Sequence, residues 1–182
     1  PQGGYQLNQL KQRANFPAMN AYWDYGSSGY TDYGSGSGVN FYQFTTLDVI
    51  SPETTHAFSA WNVNQAESGL DRSFNEGLSD LAAIAAKDYL TKGASGSYTQ
   101  MSIYDQWLNT KKWWLTWDLL VEDSGSRYFA RPSDDWLSIN DAREFTDSLQ
   151  VYPNNGPYRK FFYELINTYN WSIEEAFKLN IG

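Results

Sequence analysis

The chain has 182 residues, no cysteine, a single histidine and a net charge of -8. Disulfides, thiolate metal ligands and cysteine nucleophiles are thereby excluded, as is any metal site that needs two imidazoles from one chain. The acidic balance speaks against nucleic acid and anionic membrane surfaces, and no apolar run approaches the roughly 18 residues that insert into a bilayer.

A hydrophobic share of 41% can supply a core, and the length suits one domain over 1–182. The aromatic share of 18% serves a core, or surfaces that grip peptide or sugar. Residues 1–19 are expected to be irregular or partly helical, with "QLNQLKQRA" weakly helical. The Gly, Ser and Tyr-rich stretch 20–44 predicts short strands joined by turns. Residues 1–46 therefore form a strand and loop region, and 47–182 a helical one. Ser51 followed by Pro52 and Glu53 is a helix-start pattern and predicts a helix over about 51–62, with Ser51 as N-cap. A second helix is predicted over about 73–91, with Ser73 and Glu76 as a capping box, an apolar face of Leu78, Leu81, Ala82, Ala85 and Tyr89, and Gly93 as its stop. Helices follow over about 156–169 and after Ser172, which with Glu175 has capping-box spacing. The fold class is α+β with a mainly helical core.

Within "VISPETTHAF", Glu53 and His56 have the spacing that H-E-x-x-H zinc sites use for their general base and second ligand. Pro52 stands where the first ligand belongs. Twenty residues on, Glu76 and Asp80 lie one turn apart. Around them stand "NAYWD" at 20–24, "NEGLSD" at 75–80, "SRYFARPSDDWLSINDA" at 126–142 and "VYPNNGPYRKFFYEL" at 151–165. Five blocks in this order resemble the thermolysin-like zinc metallopeptidases, in particular the vibriolysin and pseudolysin branch, from about Asn15 to Lys178.

The resemblance implies a role for each matching residue. Glu53 matches the general base, His56 the second zinc ligand, Glu76 the third, and Asp80 the partner that orients a ligating histidine. Asn20 and Ala21, with Trp23 beside them, match the strand edge that binds substrate backbone. Arg127 matches the arginine that holds the substrate carbonyl. It also implies losses. Pro52 offers a metal no donor atom, Tyr152 replaces the histidine that stabilises the transition state, and Gln150 replaces the aspartate behind that histidine. Lys87 falls on a calcium-binding glutamate near Asp48, where an ammonium would stand in for the cation. No zinc is expected without a replacement ligand, such as Asp80, and calcium is not expected. Much of the family's strand-rich lobe and its later helices are missing, as in an excised piece or a reduced domain.

The expected function is a pseudopeptidase domain, secreted or at the cell surface, that binds a peptide or protein in the former cleft, on its own or as part of a larger protein. Two alternatives stand beside it. One is an active zinc enzyme with an altered site. The other is a carbohydrate-binding module, with glycan stacked on aromatics and Glu53 and Glu76 as an acid/base pair.

Overall fold

The computed structural model describes residues 10–24, 30–62, 69–92, 111–117, 119–120 and 124–181. The first sheet comprises β1 (Lys11–Phe16), β2 (Ala21–Trp23) and β3 (Tyr30–Gly34) in the order β1-β3-β2, with β1 parallel and β2 antiparallel to β3. Helices α1 (Leu47–Asn62) and α2 (Gly69–Lys92) pack along each other, and α1 also meets β2 and β3. A two-stranded ribbon, β4 (Trp114–Leu115) and β5 (Arg127–Tyr128), leads to 3-10 turns at Pro132–Asp135 and Ala142–Glu144. The short α3 (Val151–Asn154), then α4 (Gly156–Asn167) and α5 (Ile173–Ile181), complete the described elements.

Two apolar clusters hold these parts. Leu81 and Ile84 of α2, Leu115, Phe129, Phe162 and Leu165 of α4, and Ile173 and Ala176 of α5 form the larger one. Ala21, Tyr33, Phe44, Val49 and Leu119 join the sheet to the start of α1. A Cβ at Gly77 would lie 2.4 Å from the Tyr158 ring, so only glycine lets α4 approach α2 this closely beside Glu76.

Several elements follow the sequence reading. Strands β2 and β3 occupy the predicted strand region, and α4 matches its predicted start. The capping box before α5 is complete: Glu175 N–H donates to Ser172 Oγ at 3.1 Å, and Ser172 N–H donates to Glu175 Oε2 at 2.9 Å.

Others do not. The weakly helical lead-in is the strand β1. Its side chains from Lys11 to Asn15 are exposed, so no apolar face rewards a helix, whereas the backbone gains a ladder with β3. Arg13 fixes that pairing through two bonds to Asp32, at 2.5 and 2.6 Å. Helix α1 starts at Leu47, not Ser51, and Pro52 lies inside it. The amides of Val49 and Ile50 donate to the Thr46 carbonyl, so the first turn forms upstream of the proline. Burial of Val49 and anchoring of Asp48 outweigh the local start signal and the roughly 3 kcal/mol that proline costs in a helix interior. Helix α2 starts at Gly69, so Ser73 is no cap; its hydroxyl donates back to the Gly69 carbonyl at 3.3 Å. Tyr89 faces solvent, off the apolar side. Gly93 and the aromatic residues 104–110 lie outside the described residues.

Candidate active site of a metallopeptidase-like fold

The site forms where α1 and α2 lie side by side, with β2 on one flank and α3 on the other. On α1, Pro52 and His56 are one turn apart and both buried, so the proline ring occupies the position directly beneath the imidazole. The imidazole Nε2 lies 3.3 Å from Glu76 Oε2. Its Nδ1 lies 3.1 Å from Ser79 Oγ and 3.3 Å from Asn75 Oδ1.

These contacts set the protonation of the ring. The Ser79 hydroxyl donates to the Asn75 carbonyl at 2.9 Å, so it accepts from His56 Nδ1–H. Nε2 faces the Glu76 carboxylate, which favours the charged form of the ring. Burial is the largest influence on the ring and opposes its charge, but the hydrogen bond and charge of Glu76, with Glu53 behind it, raise the His56 pKa above its ordinary value. Burial likewise works against the Glu76 carboxylate, and His56, Arg127 and a hydrogen bond from Tyr152 outweigh it and hold it below its usual range.

The sign of this linkage gives a prediction. A folded-state pKa raised above the unfolded one stabilises fully below the ordinary histidine value and is lost as pH rises through the folded value. The stability gap between the native chain and a His56→Gln variant should therefore shrink as pH is raised from 6 towards 9. Urea midpoints at several pH values measure it. A gap independent of pH would show that His56 is neutral in the fold.

Glu53 lies on the same face of α1. Burial chiefly, with the charge of Glu76, raises its carboxyl pKa; His56 and the Trp23 amide pull it back. The Trp23 amide is a group on the free edge of β2. Asn20 pairs with Gly34 and Asp24 with Tyr30 through backbone hydrogen bonds, so in an antiparallel ladder the intervening Ala21 and Trp23 turn their N–H and C=O groups away from β3. Ala21 and Trp23 are buried as side chains, and Trp23 packs edge-on against Trp61 of α1 at 5.5 Å. Asn20 is exposed at the strand's entrance.

The other flank is cationic and aromatic. The Arg127 guanidinium lies 4.7 Å above the Tyr152 ring, and its Nη2 is 2.8 Å from Asp80 Oδ1. Its Nε is buried and meets no acceptor among the described residues. Burial and the neighbouring carboxylate of Glu76 push the Tyr152 hydroxyl above its ordinary pKa, so it is a donor and not a base. Gln150 caps the start of α3 by position, without a side-chain bond to it. Gln150 and Tyr152 line a cleft of about 510 Å³ with Arg72 and Asp147.

Asp80 is not the partner of a ligating histidine. Its second oxygen is 3.3 Å from Nη1 of the fully buried Arg159 and 3.4 Å from Asn155 Nδ2. Arg159 also donates to the carbonyls of Tyr128 and Tyr152, and to Ser138 Oγ at 2.7 Å. Both Asp80 oxygens are thus spent on guanidinium groups. The second polar centre is as predicted in kind: Lys87 Nζ lies 2.6 Å from Asp48 Oδ1 and 2.8 Å from the Trp114 carbonyl.

The sequence reading brought Glu53, His56, Glu76, Arg127 and Tyr152 to one site and missed the residues that hold them. Asn75 and Ser79 fix the imidazole, one turn apart on α2. Arg159 carried a signal in the sequence, since it falls in the apolar stripe of α4 with Phe162 and Leu165.

The zinc of H-E-x-x-H sites does not fit these side chains. Zinc needs a neutral imidazole and about three protein ligands. Here Pro52 has no donor, which leaves His56 and Glu76 as two ligands, and Asp80 is engaged by Arg127 and Arg159. Among the described residues no group of three His, Asp or Glu could hold a metal.

No family model matches the chain. It is 29% identical over 173 residues to a virulence metalloprotease of Vibrio anguillarum, covering 94% of this chain and 25% of that protein. It is 29% identical to a neutral protease of Vibrio proteolyticus over 88% of this chain and 23% of that one, and 29% to a zinc metalloproteinase of Legionella pneumophila over 89% and 26%. The chain spans about a quarter of the length of these relatives. Its fold matches the precursor of protealysin, a metalloproteinase from Serratia proteamaculans, with a TM-score of 0.65 and 19% identity over 83% of this chain and 47% of that one. The chain is a homologue of the thermolysin-like zinc metalloproteases of bacteria and has their α+β fold.

Proposed function

We propose that the chain is a pseudopeptidase domain that binds an extended peptide or protein segment in the former cleft without cutting it. The carrying observation is Pro52: it lies buried one turn before His56, where a first metal ligand would stand, it has no donor atom, and it leaves His56 and Glu76, 3.3 Å apart, as a pair. Without a metal, nothing generates a hydroxide at neutral pH or polarises a scissile carbonyl. Glu53 and Tyr152 alone replace neither contribution.

Binding has more to draw on. The outward groups of Ala21 and the Trp23 carbonyl offer a partial ladder to an added strand, and a sheet edge is a common receptor for extended peptides. The partly exposed Arg127 guanidinium, above the Tyr152 ring, is a donor suited to a peptide carbonyl. No helix among the described residues is long and apolar enough to cross a membrane, which agrees with a secreted or surface location.

The expected results are background hydrolysis of unstructured peptides, no stoichiometric zinc by metal analysis after dialysis against zinc, and peptide binding seen in tryptophan fluorescence. Hydrolysis that a chelator and Glu53→Gln both abolish would end this reading.

A further inference from the structure

We propose that two copies of this chain associate by exchanging a Trp136–Leu137 wedge into an apolar groove on each other's α2–α4 face. Trp136 is 94% exposed and Leu137 73% exposed. The wedge is built, not loose. Trp136 caps the 3-10 turn Pro132–Asp135 with φ 62°, a left-handed conformation that a bulky side chain rarely adopts. Asp135 accepts from the amides of Leu137 and Ser138 and from the Ser138 hydroxyl, and Ser138 is held in turn by buried Arg159. A rigid turn thus projects an indole into water in a conformation that works against local stability. Strain of this kind, kept by an over-determined surround, points to use.

The groove is lined by Leu70 and Phe74 of α2, by Phe145, and by Pro157, Tyr158 and Phe161 of α4, with a volume of about 460 Å³. Leu70, Phe74 and Phe161 are about half exposed there. Wedge and groove flank the start of α4, where Gly156 lies against Pro132 and Ile139. A two-fold axis beside that helix start would pair both wedges with both grooves, the closed arrangement typical of homodimers.

The area is sufficient. Aromatic side chains bury roughly 150–250 Å² each, so Trp136 with half of Phe74 and half of Phe161 offers about 300–500 Å² per protomer. With both leucines and two-fold repetition, the total reaches about 1,000 Å² or more, where specific interfaces begin. The charge of -8 on each copy opposes association, so salt should strengthen it.

Sedimentation velocity across a concentration series tests the pairing. The native chain should pass from monomer to dimer, at lower concentration as salt rises. Trp136→Gly should weaken dimerisation about thirtyfold or more, as a buried Trp anchor does, and should raise the thermal midpoint of the monomer because glycine relieves the turn. Phe161→Ser should weaken dimerisation similarly. An equimolar mixture of the two variants should dimerise more tightly than Trp136→Gly alone and more weakly than the native chain, since one of the two wedge–groove contacts is intact. A native chain that stays monomeric into the high micromolar range, a dimer indifferent to Trp136→Gly, or a mixture that associates no more tightly than Trp136→Gly alone would each overturn the proposal. Peptide binding in the cleft is a separate measurement, and neither result decides the other.

Discussion

Replacing Lys87 with methionine is expected to cost about 3–5 kcal/mol of folding stability at neutral pH, because one partner of a fully buried ion pair is removed. The ammonium and the Asp48 carboxylate are both shut off from solvent. Methionine fills most of the volume, so the loss is electrostatic and not a cavity. Asp48 keeps the Thr116 amide at 2.8 Å, but a neutral amide donor does not offset a desolvated charge. The damage should spread along the chain. Thr116 stands at φ 60°, an uncommon conformation for a β-branched residue, and the Asp48 bond helps to hold it there. Its hydroxyl donates to Ser126 at 2.6 Å, which ties down the β4–β5 ribbon that delivers Arg127. The stranded carboxylate can escape its penalty by taking up a proton, so the deficit should narrow as pH falls from 7.5 to 5. Urea unfolding of the two proteins at both pH values measures this. A loss below about 1 kcal/mol would mean that water reaches Asp48 and the pair is not buried in solution.

The same pair explains what could be read in the sequence and what could not. Asp48 and Lys87 were legible as partners because the resemblance put both on one cation site. That Asp48 also anchors the start of α1 was not, since its hold on Thr116 spans 68 residues. Local signals favoured a start at Ser51–Pro52, and they lost to tertiary anchoring upstream. The cap before α5 was read correctly because all its bonds lie within three residues. Strand β1 was misread for the opposite reason: its pairing with β3 is distant, and its exposed residues carry no alternation to reveal it. In the site, Glu53, His56 and Glu76 were legible through the resemblance, since their helical spacing alone is common by chance. The hold of Asn75 and Ser79 on the imidazole was not, because it is made between two helices by residues 19 and 23 positions away.

Substituting alanine for Asp80 is the second change with a large expected effect, about 3–5 kcal/mol, again from uncovering buried charge. Here two guanidiniums are left without their shared carboxylate. Arg159 is fully buried and Arg127 is partly buried. Burial chiefly raises the Asp80 carboxyl pKa, with Arg127 and Arg159 pulling against it, and burial lowers that of Arg159. Both directions say that desolvation is not fully repaid, so the network is no net source of stability. It is, however, a set whose members cannot be removed singly. An Asp80→Ala, Arg159→Met double variant should therefore lose less than the two single losses added, with a coupling of about 1–3 kcal/mol. Arg127 gives the cycle a functional readout as well. Without Asp80 its guanidinium is free to turn towards Glu76, which would draw it off the Tyr152 ring and weaken peptide binding in the cleft. Additive losses in the cycle would show instead that the two arginines find other partners and that Asp80 does not organise the site.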